Sequence, residues 1–305
     1  MKELQPDIIH CQLIRMAEYV RNDHQIPRVL DYMDALSAGM KRRAGLRPIF
    51  SRWIFLIEAQ RLARYESIVF DYFDARTIIS AADQKLIAHP GRKDLAIVPN
   101  GVDSDYFRIQ NATRRPRDYR MILFTGNMSY PPNVDAAKQL VTDVLPRVKN
   151  KNVRVVIAGT QPTTEVMKLA GDRVVITGWI ADIREAYAQA DLFVAPLRIG
   201  TGQQNKILEA MSMGIPCITT GHVLNGLPNK NTEQPPLIIA ENSTETAKAI
   251  DDFLENESER KEVSEKSRSW IEKNCSWDAQ TKALEQSFVN STLYKTEEAA
   301  WKIKK

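Results

Sequence analysis

The chain has 305 residues, room for about two domains of ordinary size. Its 43% hydrophobic and 26% charged residues are those of a globular protein and exclude extended disorder, a collagen-like repeat or a disulfide scaffold. A net charge of +4 is too balanced to argue for nucleic acid, no run reaches the roughly 18 apolar residues of a membrane span, and the opening MKELQPDIIH has no apolar signal core.

In chain order, short strands are predicted at 7–12 (DIIHCQ), 28–32 (RVLDY), 76–80 (RTIIS) and 96–99 (AIVP), with a long helical region over 36–66 between the second and the third. Residues 1–115 carry 18 basic and 14 acidic side chains, and the remainder is neutral. The excess is densest in KRRAGLRPIFSR (41–52), which holds Lys41, Arg42, Arg43, Arg47 and Arg52 without an acid. The wider stretch 41–55 mixes these cations with Ile49, Phe50, Trp53, Ile54 and Phe55. It reads equally as a helix lying on an anionic membrane surface and as a core-packed helix with a solvated basic face. The polar segment 111–118 (NATRRPRD) reads as a linker.

From residue 120 the pattern is regular. Strands are predicted at 120–125, 153–158, 174–177, 191–197, 216–220 and 236–240, and helices at 133–149, 163–170, 183–190, 203–213, 243–256 and 257–274. The strands are β-branched and lack a clean in/out alternation, which predicts parallel strands covered on both faces. The fold class is therefore α/β, with doubly wound sheets whose binding crevice lies at the carboxyl ends of the strands. Four strands end in, or soon reach, glycine: Gly126, Gly159, Gly178 and the loop Ile199-Gly200-Thr201-Gly202. Glycine is common in such turns, but the clustering raises the expectation of a phosphate-approach edge. Cys11, Cys217 and Cys275 show no disulfide or zinc spacing, in keeping with a reducing cytoplasm.

The most specific stretch is PLRIGTGQQNKILEAMSMGIPCITT (196–220), a strand, a Gly-rich loop, a helix and a strand. Loop N–H groups and the helix N-terminus form a site for an anion such as a diphosphate. Lys206 lies one turn into the helix, and Glu209 three residues later lies on nearly the same face, where its carboxylate can accept two ribose hydroxyls. An ordinary surface helix with a Lys/Glu pair has the same spacing. No Gly-Lys-Ser/Thr follows the loop, so it is not a Walker motif.

This segment resembles the donor site of glycosyltransferase family 4, the group 1 transferases of GT-B architecture. So do PDIIH (6–10), RVLDYMD (28–34), ISAAD (79–83), VPNGVDSDYF (98–107), FTGNMSYPPNVDAA (124–137), VVIAGT (155–160), ITGWIADIREAYAQADLFVAPLRIGTG (176–202) and CSWDAQ (275–280). The versions are most similar to bacterial transferases of exopolysaccharide and surface-glycan pathways. The resemblance implies two Rossmann-like doubly wound domains, the N-terminal one incomplete. They are expected as a partial acceptor-side domain over 1–115, a donor-binding domain over 116–278, and a C-terminal helix over 279–305 packing back on the first. It further implies a retaining transfer from a UDP- or GDP-linked sugar bound between the domains, to a glycan or lipid-linked acceptor. The base would stack near Trp179 and Ile180. Glu209 would hold the ribose, and Gly126, Asn127, Gly159, Arg198, Gly200, Thr201, Gly202, Lys206 and Leu208 would line the donor site. Lys206 and Glu209 stand nearest the chemistry, with His10 as a further candidate that reads as readily as a satisfied strand-end histidine. Asp31 and Asp34 could touch acceptor hydroxyls or make turns, and Asp83 matches a structural position. No metal or cofactor is expected, since positive groups and helix dipoles stabilise the leaving diphosphate in this fold. The expected location is the cytoplasm, at the inner face of the membrane if 41–55 binds it.

Three departures bear on activity. The family often has two glutamates in this segment; Glu209 stands at the second place, and Thr201 occupies the first. The family's Arg and Lys in the loop after the first donor-domain strand are absent from 126–132 (GNMSYPP), leaving Arg198 and Lys206 as the charge-compensating candidates. The family's N-terminal half normally begins with roughly 80–100 further residues. An open sheet edge would follow, which a second copy or a companion chain would complete. Two further readings therefore stay open: a partner-dependent or inactive nucleotide-sugar-binding protein, and a sugar-nucleotide epimerase.

Overall fold

The computed structural model describes residues 5–45, 48–109, 116–199, 202–228 and 234–303. It divides into two compact units. The first comprises 1–100, 200–203 and 278–305, and the second 101–199 and 204–277. The predicted linker at 111–118 lies mostly outside the described residues.

The first unit is a four-stranded parallel sheet in the order β1-β2-β3-β4: β1 (Ile9–Gln12), β2 (Arg28–Asp31), β3 (Ala75–Ile78) and β4 (Ala96–Ile97). Among the described residues, β1 pairs with β2 alone. Short α1 (Ala17–Val20) follows β1. The long helical region predicted over 36–66 is two helices, α2 (Leu36–Gly45) and α3 (Ile49–Phe70). Pro48 caps α3, since a fixed φ of −54° and a missing N–H suit a helix start and not a helix interior. Short α4 (Ala81–Gln84) begins at Ser80, whose hydroxyl accepts from the Asp83 amide. Leu30, Tyr32, Phe73 and Ile78 form the centre of this unit's core. Buried Glu66 ties α3 to α2, accepting from the Ser37 amide at 2.9 Å and hydroxyl at 2.5 Å.

The second unit is a six-stranded parallel sheet. Its strands are β5 (Arg120–Thr125), β6 (Val153–Ala158), β7 (Val174–Gly178), β8 (Leu192–Ala195), β9 (Cys217–Thr219) and β10 (Ile238–Ile239), ordered β10-β9-β8-β5-β6-β7. The chain winds outward from β5 to β7, then returns to the other side of β5 with β8, so the order reverses between β5 and β8. Between the strands lie α5 (Pro131–Lys138), α6 (Thr164–Met167), α7 (Ile183–Gln189), α8 (Asn205–Ser212) and α9 (Gly221–Leu224). The predicted helix over 133–149 starts earlier, at Pro131, and changes form: α5 passes into an i→i+5 stretch over Gln139–Val144 and a 3-10 turn over Leu145–Arg147. Pro146 lacks an N–H, so the helical ladder cannot run on through it. Helix α10 (Ser243–Glu255) packs against the helical stretch after α5 and against β9, and α11 (Glu257–Asn274) packs against α8. The last helix, α12 (Trp277–Ile303), belongs to the first unit from Asp278 onward. Central strands of this sheet are buried on both faces, with Ile122, Leu123, Phe124, Leu192, Phe193 and Val194 inaccessible. No helix among the described residues is long and apolar enough to cross a membrane.

Candidate functional site

A doubly wound sheet opens a crevice where its strand order reverses, outside the carboxyl ends of the two strands concerned. In the second unit this is the end of β5, at Thr125-Gly126, and of β8, at Ala195. Helix α8 follows β8, and its apolar residues Ile207, Leu208, Ala210 and Met211 are wholly buried. That burial fixes the rotation of the helix and leaves Lys206 and Glu209 half-buried on its other side.

Lys206 lies over the Phe124 ring, 5.0 Å from its centroid, at the carboxyl end of β5. Its ammonium donates to Oδ1 of Asn133, at the start of α5, and the Asn133 amide donates to the Asn127 carbonyl at 2.9 Å. Its partner is thus a neutral carboxamide. Burial pushes the Lys206 ammonium down to about 8, with nearby Glu209 working the other way. Glu209 accepts a hydrogen bond from the Tyr187 hydroxyl at 2.8 Å, and burial raises its carboxyl above the usual range. The Tyr187 hydroxyl also lies 2.9 Å from Thr125 Oγ1 and 3.3 Å from the Lys206 carbonyl. One fully buried tyrosine therefore ties the ends of β5, α7 and α8 together.

The glycine edge is tightly built. Gly126 has φ +154° and Gly159 has φ +140°, both outside the ordinary range of residues with a side chain. A Cβ on Gly159 would fall 1.9 Å from the Gly126 carbonyl oxygen. A Cβ on Gly126 would fall 2.6 Å from Asn133 Nδ2 and 3.1 Å from Lys206 Nζ. The strand-end amides continue the ladder into the turns, Gly126 N–H to the Ala158 carbonyl and Gly159 N–H to the Gly178 carbonyl, each at 3.0 Å. The two turns form one surface beneath the Lys206 ammonium.

Other predicted residues are placed as follows. Asn127 opens the loop after β5, its Oδ1 accepting from Ser129 N–H at 2.9 Å. Arg198 forms a two-point ion pair with Asp135 of α5, at 2.6 and 3.1 Å, so its charge is already matched. Trp179 is exposed just beyond β7, and Ile180 packs against the core. Leu208 is fully buried, so its side chain serves the core and leaves only its backbone to face a ligand. Gly200 and Thr201 lie outside the described residues. Gly202, with φ +66°, belongs to the first unit, as does His10, which packs edge-on against Phe288 of α12 at 5.4 Å. Asp31 is partly buried at the end of β2 with its carboxyl raised, and Asp83 is the buried partner of Ser80. The sequence reading missed Asn133, Tyr187 and Thr125. Pro131 and Pro132 mark the helix start just ahead of Asn133, but its hydrogen bond to a lysine of another helix leaves no local pattern.

Residues 119–256 match the family of glycosyl transferases group 1. A comparison with curated proteins finds no match. Among solved structures, the chain is similar to HepE of Anabaena, crystallised with UDP, at 14% identity over 93% of this chain and 78% of that one, with a TM-score of 0.70. It is similar to a glycosyltransferase of Rickettsia africae at 16% identity over 95% and 78%, with a TM-score of 0.69. Sucrose-phosphate synthase of Thermosynechococcus elongatus matches at 16% identity over 96% and 74%, with a TM-score of 0.65. Residues 119–256 thus match the group 1 glycosyl transferases, and the chain has the GT-B fold of its structural neighbours.

Proposed function

We propose that the chain is a retaining glycosyltransferase that moves a sugar from a nucleotide-sugar donor to a glycan or lipid-linked acceptor in surface-polysaccharide biosynthesis. One observation carries the donor half of this reading. At the reversal crevice, Lys206 faces a neutral carboxamide above two glycine turns, beside Glu209 on the same helix. A half-buried ammonium that is hydrogen-bonded to a neutral carboxamide suits the diphosphate of a donor. In this reading Lys206 and the N-terminus of α8 take the charge of the departing nucleoside diphosphate without a metal ion. Glu209, held by Tyr187, accepts the ribose hydroxyls. An acceptor hydroxyl attacks the anomeric carbon as the bond to the diphosphate breaks, and the hydroxyl proton is lost to the leaving group or to water. The HepE structures hold UDP, UDP with glucose, and UDP-glucose, which favours uridine diphosphate as the carrier.

A thermal-shift panel of UDP, GDP and ADP tests the reading. One diphosphate at 100 times its dissociation constant is expected to stabilise by about 2.7 kcal/mol, a rise of a few degrees. The shift is expected to persist in EDTA and to vanish in Glu209→Ala. No shift with any nucleotide would overturn the donor site. A second reading, donor binding without transfer, is favoured by the pairing of Arg198 with Asp135 and by the lack of a cation in 126–132. It predicts the same shift but no sugar incorporated into a lipid-extract acceptor.

A further inference from the structure

Helix α3 presents an apolar face to solvent at its start. Ile49 is 89% exposed, Phe50 80%, Trp53 58% and Ile54 52%, with Leu56 and Ile57 also exposed. At 100° per residue these six positions cover one continuous arc of the first turns. The outward side of a helix on a water-facing domain is normally polar. A contiguous apolar patch of this kind marks an interaction surface.

Charge identifies the partner. Residues 35–57 contain five cations, Lys41, Arg42, Arg43, Arg47 and Arg52, and no acid. Lys41 and Arg52 are exposed. On α3 itself the stripe runs into exposed Arg61 and Arg64 at helical spacing from Ile57 and Gln60. The Trp53 indole N–H donates to the Phe50 carbonyl at 2.9 Å, so the ring can leave water without an unpaired donor. An apolar stripe flanked by cations, with an internally satisfied indole, fits an anionic lipid surface. We propose that the first turns of α3 seat on an anionic bilayer, with Phe50, Trp53 and Ile54 in the acyl boundary and the flanking cations at the headgroups. This attachment stands apart from the donor site and needs no nucleotide.

The test is co-sedimentation of the purified chain with large vesicles of phosphatidylcholine, with and without about 30 mol% phosphatidylglycerol. At about 0.1 M salt the anionic vesicles are expected to bind at least tenfold more tightly. That preference should disappear at about 1 M salt, where the screening length falls to about 3 Å. A triple variant, Phe50→Gln with Trp53→Gln and Ile54→Gln, is expected to lose binding. A double variant, Arg52→Gln with Arg61→Gln, is expected to bind at least tenfold more weakly, each cation being worth about fivefold. Far-UV circular dichroism checks that both variants keep their helices. Equal binding to both vesicle types, no binding at all, or full binding by the triple variant would each overturn the proposal. So would a dimer in sedimentation velocity that the triple variant dissociates, because a second copy would then cover this face.

Discussion

Lys206 is faced by a carboxamide, and that choice governs both its charge and its availability. With its ammonium held down to about 8 by burial, the residue is charged at neutral pH and loses its proton just above it. A bound diphosphate favours the charged form, so binding above about pH 8 takes up a proton. UDP affinity is therefore expected to fall as pH rises from about 8 to 10, by up to roughly tenfold per pH unit. Fold stability moves the other way. Between about 8 and the ordinary lysine value of 10.5 the unfolded chain holds the proton more tightly than the folded one, so stability from this residue rises with pH. Affinity falling while this contribution to stability rises separates the effect from alkaline unfolding. Calorimetric titration of UDP across this range, with Lys206→Arg as a variant whose charge persists, checks it. Asn133→Asp is a second probe: a carboxylate in place of the amide would pair Lys206 and repel a diphosphate. UDP binding should weaken by an order of magnitude or more, with circular dichroism unchanged. None of this could be read from the sequence, where Lys206 and Glu209 stand out by spacing while Asn133 and Tyr187 look like ordinary helix residues.

Among the elements, the turns after β5 and β6 were legible as glycine turns, and their contact was not. The glycines that end these strands mark a place where backbone needs room. Only the register of β5 on β6, Thr125 beside Ala158, brings the Gly126 carbonyl against the Gly159 Cα. Gly159→Ala demands both an unfavourable φ and a separation of the two turns. It is expected to cost about 3 kcal/mol or more, a drop of several degrees, and to weaken UDP binding by shifting the floor under Lys206. Thermal unfolding and a UDP titration on the same sample measure both effects. The helices were legible in kind and less so in form. The apolar period over 133–149 predicts one helix, yet the ladder shifts to i→i+5 over Gln139–Val144, around buried Leu140 and Val144 and just ahead of Pro146. Likewise the periodicity runs through 36–66, and Gly45 with Pro48 signals two helices.

At the scale of the whole chain, parallel sheets could be expected because their strands are apolar on both faces, which a one-sided sheet would not tolerate. Strand order is another matter: the runs β5 to β10 look alike in sequence, and nothing local shows that β8 returns beside β5. The crevice therefore became visible only with the topology. The two units also differ in size of core. The second has a large cluster spanning all six strands and the helices around them, whereas the first rests on a small cluster about Leu30, Tyr32, Phe73 and Ile78. Less apolar area buried means less to oppose chain entropy. In differential scanning calorimetry the first unit is expected to melt at the lower temperature and the second at the higher. Lys206, Glu209, Asn133 and the glycine turns all belong to the second unit. UDP is therefore expected to raise the upper transition by a few degrees and leave the lower one in place. Coincident movement of both would mean that the units unfold as one, and movement of the lower alone would contradict a donor site built from these residues.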